Sequence, residues 1–193
     1  MNKLCEICSR ECSPQEEEAC LKSPRLNLGA GHMILKDHIN YDQMIYEGGK
    51  FKADIVCSLD ELAEAGLGGL FHGVLCSHVI EHFYPNDADA FIQLIRNLLA
   101  VKGRLVLEAP DIFKLSSLYA KGKYSAKEAV ANFYGDVGFS LKYEASWMHH
   151  WGYTGESAAN LLKRNGFAII SVGDGITYNH ADRDFRVVAE KVE

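Results

Sequence analysis

The chain has 193 residues, 48% of them hydrophobic and 24% charged, which is typical of one globular domain and excludes a disordered or collagen-like chain. Twenty Lys and Arg against 26 Asp and Glu leave a formal net charge of −6. This balance disfavours nucleic acid or an anionic membrane as the main partner and favours a small or neutral ligand.

Residues 1–24 are expected to form a polar, Cys-rich tail that ends at Pro24. Charged residues stand where a signal peptide needs an apolar run, and no stretch reaches the roughly 18 apolar residues of a membrane span. We therefore expect a cytoplasmic protein without a membrane partner. The tail contains Cys5, Cys8, Cys12 and Cys20. Four thiolates can hold zinc, but the second pair is too widely spaced for common zinc sites, so we favour reduced thiols and keep zinc as the alternative.

Seven short apolar runs after the tail predict β-strands, and they span residues 25–31, 38–42, 53–58, 71–78, 104–109, 167–173 and 185–192. Helical periodicity is clearest over 87–101, with Asn86 as N-cap and Gly103 as the stop, and over 156–165, which follows Thr154. The alternation predicts an α/β fold, with a doubly wound, mainly parallel seven-stranded sheet. The polar link between the last two runs predicts an antiparallel last strand.

The first predicted strand ends in Gly29-Ala30-Gly31, and the second ends at Asp42. Glycines permit a sharp turn and close approach of a ligand, while a carboxylate can accept hydrogen bonds from ribose hydroxyls. A dinucleotide site would have a third glycine where Ile34 stands and an acidic residue about 20 positions on. NAD(P) is therefore disfavoured as the ligand, and a nucleoside without phosphates fits this pattern better. A helix of barely two turns is expected between the glycines and Asp42. A purely structural glycine turn is the alternative.

Further segments extend this pattern over residues 25–192, namely LNLGAG, INYD, ADIVCSLDEL, FHGVLCSHVIEHF, KGRLVLEAPD and YGD…HHWGYT…LLKRNGF. With them the sequence resembles the class I S-adenosylmethionine-dependent methyltransferases, and most of all their type 11 group. The resemblance implies a Rossmann-like methyltransferase domain over residues 25–193 with S-adenosyl-L-methionine as cofactor. It further implies methyl transfer to a small-molecule or glycan-like acceptor.

The resemblance also implies a cofactor site at the ends of the first four strands. Its residues are Gly29, Ala30 and Gly31 for the methionine part, Asp42 for the ribose, Ser58 and Leu59 for the adenine, and Ser77 and His78 beside the reacting methyl group. Ser58 stands where the family usually has an acidic residue. A hydroxyl still bonds the exocyclic amine of adenine, but less strongly than a carboxylate.

The segment His78-Val-Ile-Glu81-His82 matches the H-x-x-E-H pattern of some zinc peptidases. That chemistry needs a continuous helix and a third ligand, whereas a β-like run precedes the motif and Pro85 follows it. The resembled family commonly has this motif without metal, so we expect no metal in the domain and keep a zinc hydrolase as the least favoured alternative. The candidate catalytic bases are His78, Glu81, His82 and His149, although an ion pair that orders the loop explains Glu81 and His82 equally well.

Residues 111–153 form a predicted insert whose aromatic side chains suit a substrate lid or a satellite core. They are Tyr119, Tyr124, Phe133, Tyr134, Trp147, His149, His150 and Trp151. Cys57 and Cys76 are predicted to pack in strands. A regulatory or scaffold protein that binds the cofactor without catalysis is the second functional hypothesis, and the oligomeric state does not follow from the sequence.

Overall fold

The computed structural model describes residues 24–45, 52–135, 148–178 and 180–193. The cysteines of the predicted tail lie outside these residues, as does Trp147. Cys57 and Cys76 are free thiols. Cys76 is fully buried in a strand as predicted, whereas the prediction for Cys57 was wrong, because this residue is only partly buried and follows the end of a strand. Across the described ranges, no helix has both the length and the apolar character needed to cross a bilayer.

Seven strands form one sheet in the order β3-β2-β1-β4-β5-β7-β6. They are β1 (Arg25–Leu28), β2 (Ile39–Asp42), β3 (Ile55–Val56), β4 (Phe71–Ser77), β5 (Leu99–Pro110), β6 (Phe167–Asp174) and β7 (Asp184–Lys191). The pairs among β1 to β5 are parallel, and β7 runs antiparallel to both β5 and β6. The predicted doubly wound, mainly parallel sheet with an antiparallel last strand is confirmed.

Five α-helices and one 3₁₀ helix belong to the described residues. They are α1 (Leu59–Glu64), the 3₁₀ helix (Ile80–His82), α2 (Pro85–Leu98), α3 (Ile112–Ala120), α4 (Ala126–Tyr134) and α5 (Gly155–Arg164). The predicted insert therefore contains two helices. Helix α5 starts after Thr154 as predicted, and the Thr154 hydroxyl accepts a hydrogen bond from Ser157 N at 3.1 Å.

Helix α2 buries the predicted apolar face, including Phe91, Ile92 and Ile95, but both predicted ends were wrong. Its N-cap is Tyr84, because Pro85 has the φ angle of a first helical residue and lacks the amide hydrogen that would go unpaired there. At its other end the chain passes directly into β5 after Leu98.

Gly103 is thus part of β5 and does not stop a helix. A β-carbon at this position would lie 2.8 Å from the Ala100 carbonyl oxygen and 3.0 Å from that of Phe71. Glycine is required there because neighbouring backbone comes too close for a side chain.

The connection from β1 to β2 contains only turns, so the predicted short helix was wrong. Two buried amide side chains hold this connection. Asn27 Nδ2 donates to Met33 O at 2.7 Å and to Asn40 Oδ1 at 3.0 Å, and Asn40 Oδ1 also accepts from Leu35 N at 2.8 Å. These bonds satisfy backbone groups that a helix would otherwise pair.

Candidate functional site

A cavity of about 300 Å³ opens at the carboxyl ends of the parallel strands, where the strand order reverses between β1 and β4. Open α/β sheets bind ligands at this kind of switch point. Four of the predicted cofactor residues line the cavity, namely Gly29, Asp42, Leu59 and His78. The structure thus brings together residues from four separate strand ends.

The glycine turn and the Asp42 carboxylate are joined directly. Gly29 and Gly31 have φ angles of +76° and +52°, a region that residues with a β-carbon rarely adopt. Gly31 N donates to Asp42 Oδ2 at 2.7 Å, and Met44 N donates to Oδ1 at 3.1 Å. These two bonds fix the orientation of the Asp42 carboxylate at the edge of the cavity. Ala30 is buried within the turn.

Ser58 and Leu59 have different surroundings. Leu59 lines the cavity. Ser58 is the exposed N-cap of α1, and its hydroxyl accepts from Glu61 N at 3.2 Å and donates to Glu61 Oε2 at 2.9 Å. The hydroxyl therefore caps a helix, and its role toward adenine stays a prediction. Ser77 is buried, and its hydroxyl has no hydrogen-bond partner among the described residues.

His78 lies between two buried carboxylates. Its Nε2 is 2.9 Å from Asp184 Oδ2, and its Nδ1 is 3.3 Å from Glu81 Oε1. Burial works to lower the pKa of this imidazole, but the two acids outweigh it and raise the pKa to about 9. A protonated imidazole has no lone pair to take a further proton, so this geometry favours a positioning role for His78 over that of general base.

The second carboxylate and an aromatic neighbour of His78 come from segments that the sequence analysis did not single out. Asp184 begins β7, and the Tyr178 ring meets the His78 ring edge-on with centroids 5.0 Å apart. The Tyr178 segment is held by the buried Glu108, which accepts from Thr177 N at 3.0 Å and pairs with Arg186. Acidic residues at strand ends are the one sequence signal that could have pointed to Asp184.

Glu81, His82 and His149 form a second group on the other side of His78. One ligand atom from each lies within 4.8 Å of the others. Glu81 is 3% exposed, and neither of its oxygens accepts a hydrogen bond from the described residues. Burial acts to raise the pKa of Glu81, but His78 and the other histidines bring it below the usual range. Burial lowers the pKa of His149. Three of the predicted catalytic residues thus meet in one place.

The H-x-x-E-H motif does not adopt the zinc-peptidase geometry. Residues 78–82 leave β4 through a turn into the 3₁₀ helix, so the continuous helix required by that chemistry is not formed. Both ring nitrogens of His78 face carboxylates. The structure therefore does not support the zinc-hydrolase hypothesis.

The aromatic residues of the insert are only partly associated with the cavity. His150 lines it and stacks on Tyr84 with ring centroids 4.3 Å apart. Tyr119, Tyr134 and Trp151 are exposed, so these three do not form a satellite core. Whether they close over a substrate stays a prediction.

Comparison with solved structures finds the same fold. An S-adenosylmethionine-dependent methyltransferase from Archaeoglobus fulgidus is 17% identical, with 92% of this chain and 90% of that chain covered at a TM-score of 0.59. The 1,6-didemethyltoxoflavin-N1-methyltransferase of Burkholderia thailandensis was solved with 1,6-didemethyltoxoflavin and S-adenosylhomocysteine. It is 14% identical, and the match covers 91% of this chain and 75% of that chain with a TM-score of 0.56. Magnesium protoporphyrin IX methyltransferase from Synechocystis, solved with S-adenosylhomocysteine, is 17% identical. The match covers 92% of this chain and 78% of that chain with a TM-score of 0.54.

No model of a known protein family matches the chain, and no curated protein matches it. At these identities the likeness establishes the fold, and the chain therefore has the Rossmann-like fold of the S-adenosylmethionine-dependent methyltransferases.

Proposed function

We propose that the chain binds S-adenosylmethionine in the cavity at the switch point and transfers its methyl group to a small-molecule acceptor. The observation that carries this proposal is the link between the left-handed glycine turn and the carboxylate of Asp42, which is bonded to Gly31 N at 2.7 Å. It puts an open backbone turn beside an oriented acceptor pair, as a nucleoside with an amino-acid tail requires.

The cavity residues also fit the chemistry of this cofactor. The cavity volume of about 300 Å³ lies at the lower end of the range for small-molecule sites. Leu59, Met44 and Phe91 provide apolar walls on which an adenine ring can pack, and Asp42 faces the same space. The two neighbours solved with S-adenosylhomocysteine support the same cofactor. The small-molecule substrate named for one of them supports a small acceptor.

The cofactor supplies an electrophilic methyl group on a cationic sulfonium when it is bound. The chain has to orient the acceptor in line, exclude water and help to remove a proton from a weak acceptor. The two acids raise the pKa of His78 to about 9 and so favour its protonated form, which suits a positioning role in the loop better than that of a general base. Acceptor activation therefore falls to the group of Glu81, His82 and His149, of which His82 lines the cavity.

Calorimetric titration with S-adenosylhomocysteine and S-adenosylmethionine tests the proposal. We expect binding below millimolar concentration and its loss in Asp42→Ala. The matched control is Asp60→Ala, which removes the same charge from an exposed residue in the first turn of α1. Absence of binding to the wild-type chain, or equal binding by both variants, would overturn the proposed site.

Cofactor binding without catalysis is the second candidate function. It is favoured by the use of the Ser58 hydroxyl as a helix cap and by the β1–β2 connection without a helix. Incubation with labelled cofactor and a panel of small hydroxyl, amine, carboxylate and glycan acceptors separates the two functions. Binding without any labelled product would favour the regulatory or scaffold role.

A further inference from the structure

We propose that Glu81, His82 and His149 form a binding site for one divalent transition-metal ion, with zinc as the first candidate. This revises the sequence-based expectation that the domain holds no metal. That expectation considered the H-x-x-E-H spacing, whereas the structure pairs His82 with His149 and leaves His78 outside the group. The existence of the site does not depend on the proposed function, although its role in methyl transfer does.

The donor atoms suit such an ion in type and position. Two imidazoles and one carboxylate are a donor set of catalytic zinc sites, which leave a further position open. Ligand atoms about 2.1 Å from a tetrahedral ion stand roughly 3.4 Å from one another. The three groups lie within 4.8 Å, so small side-chain rotations bring them to that spacing.

The two histidines already have outer partners of the kind that orient metal ligands. His82 Nδ1 is 3.0 Å from the Met148 carbonyl oxygen. That oxygen only accepts, so Nδ1 carries the hydrogen and Nε2 retains its lone pair. His149 is likewise hydrogen-bonded to the backbone of Phe133. Histidines that bind metals usually donate their other ring N–H to a carbonyl or carboxylate.

The Glu81 carboxylate provides an independent indication. It is 3% exposed, yet neither oxygen accepts a hydrogen bond from the described residues. Buried charges in proteins are normally paired and hydrogen-bonded, or coordinate metals. His78 Nδ1, at 3.3 Å from Oε1, is a charge partner of this carboxylate, but the contact leaves Oε2 without a partner among the described residues. An ion between Glu81 and the two imidazoles supplies the missing contact.

The surrounding backbone fixes His149 beside Glu81. The Glu81 carbonyl oxygen accepts from His150 N at 2.7 Å and from Trp151 N at 3.2 Å. The group is thus connected at both the side-chain and the main-chain level, and its geometry does not depend on one flexible side chain.

The position next to the cavity assigns the ion a role toward an oxygen acceptor. His82 lines the cavity, so an ion held by this residue would lie next to the space where an acceptor would enter. A metal-bound hydroxyl releases its proton to water more readily. The resulting oxygen then forms the new bond to the methyl carbon as the carbon–sulfur bond breaks, which leaves neutral S-adenosylhomocysteine and a methyl ether. We therefore expect small acceptors that offer a hydroxyl group.

The site is tested on the full chain, stripped with a chelator and titrated with Co²⁺ and then Zn²⁺. The wild-type chain should bind one equivalent more than His149→Ala or the nearly isosteric Glu81→Gln. His72→Ala, which changes an exposed histidine on β4, should match the wild type. Because the tail cysteines also offer ligands, the additional cobalt should add no thiolate-to-cobalt charge-transfer absorption.

Two outcomes overturn the site. One is equal stoichiometry in the wild-type chain and His149→Ala, and the other is an additional equivalent that carries thiolate absorption. S-adenosylhomocysteine binding, measured on the same samples, confirms that each variant is folded. If no sample binds that ligand but the one-equivalent difference persists with unchanged circular dichroism, the metal site stands and the proposed function fails.

Discussion

The turn after β1 offers a matched pair of substitutions, Gly29→Ala and Gly31→Ala. Both glycines have left-handed backbone, with φ of +76° and +52°, where a β-carbon costs about 1–2 kcal/mol. The environments differ. A β-carbon on Gly29 would collide with Cγ2 of Val79, whereas on Gly31 it would meet nothing within 4 Å.

The collision adds a second cost to Gly29→Ala alone. Overpacking of a filled site typically costs about 1–3 kcal/mol, so we expect a total loss of about 2–5 kcal/mol for Gly29→Ala. For Gly31→Ala the backbone cost of about 1–2 kcal/mol remains. For a domain of this size, the difference of about 1–3 kcal/mol corresponds to roughly 2–12 °C in Tm.

Urea and thermal unfolding of both variants measure this difference, and the double variant Gly29→Ala/Val79→Ala isolates its cause. Removing the Val79 methyl groups makes room for the new β-carbon, so the double variant should lose less stability than the sum of the single variants. Equal losses for Gly29→Ala and Gly31→Ala would refute the collision argument, as would strict additivity in the double variant.

Two further predictions concern carboxylates outside the cavity. Glu108→Gln leaves the largely buried Arg186 without its charge partner and should lower the free energy of unfolding by about 3–5 kcal/mol in urea unfolding. The control is Glu190→Gln, at a partly exposed residue that pairs with Arg104, which should cost about 0–1 kcal/mol. Similar losses in the two variants would contradict the assignment. Hydrogen bonds from Arg164 lower the pKa of Asp89 from 3.8 to about 2, so that carboxylate contributes its full stabilisation above pH 3.8 and loses it as pH falls through 2. In urea unfolding, Asp89→Asn should lower the free energy of unfolding by about 0.5 kcal/mol at pH 7 and by less at pH 3. The same loss at both pH values would show that the charge of Asp89 is not involved.

The sheet was predictable because its signals are local. Each strand is a short apolar run, and the alternation with helices restricts the sheet to a mainly parallel form. The errors lie at boundaries, where two local signals compete. Asn86 is a good N-cap, but the fixed φ of Pro85 starts α2 earlier, and Gly103 suits either a helix stop or a strand under close backbone contact.

The cavity could be predicted in part for the same reason. Gly29 and Asp42 stand next to strand ends, and parallel strands bring such ends to one edge of the sheet. The partners of His78 could not be predicted, because Asp184 reaches it through the insertion of β7 beside β5. The pairing of His82 with His149 also depends on a tertiary contact, since the backbone of residues 150–151 docks on the 3₁₀ helix.

The position of β7 has a consequence for synthesis. It follows every other strand in sequence, yet it lies inside the sheet between β5 and β6. A nascent chain that has emerged only to β6 can pair β1 to β5, while β6 has no neighbour and the outer edge of β5 stays open to foreign strands. Asp184 arrives with this same strand. Closure of the sheet and the arrival of the second acid beside His78 are therefore one late event, and a ribosome-bound intermediate should expose an aggregation-prone edge and an imidazole that lacks this partner.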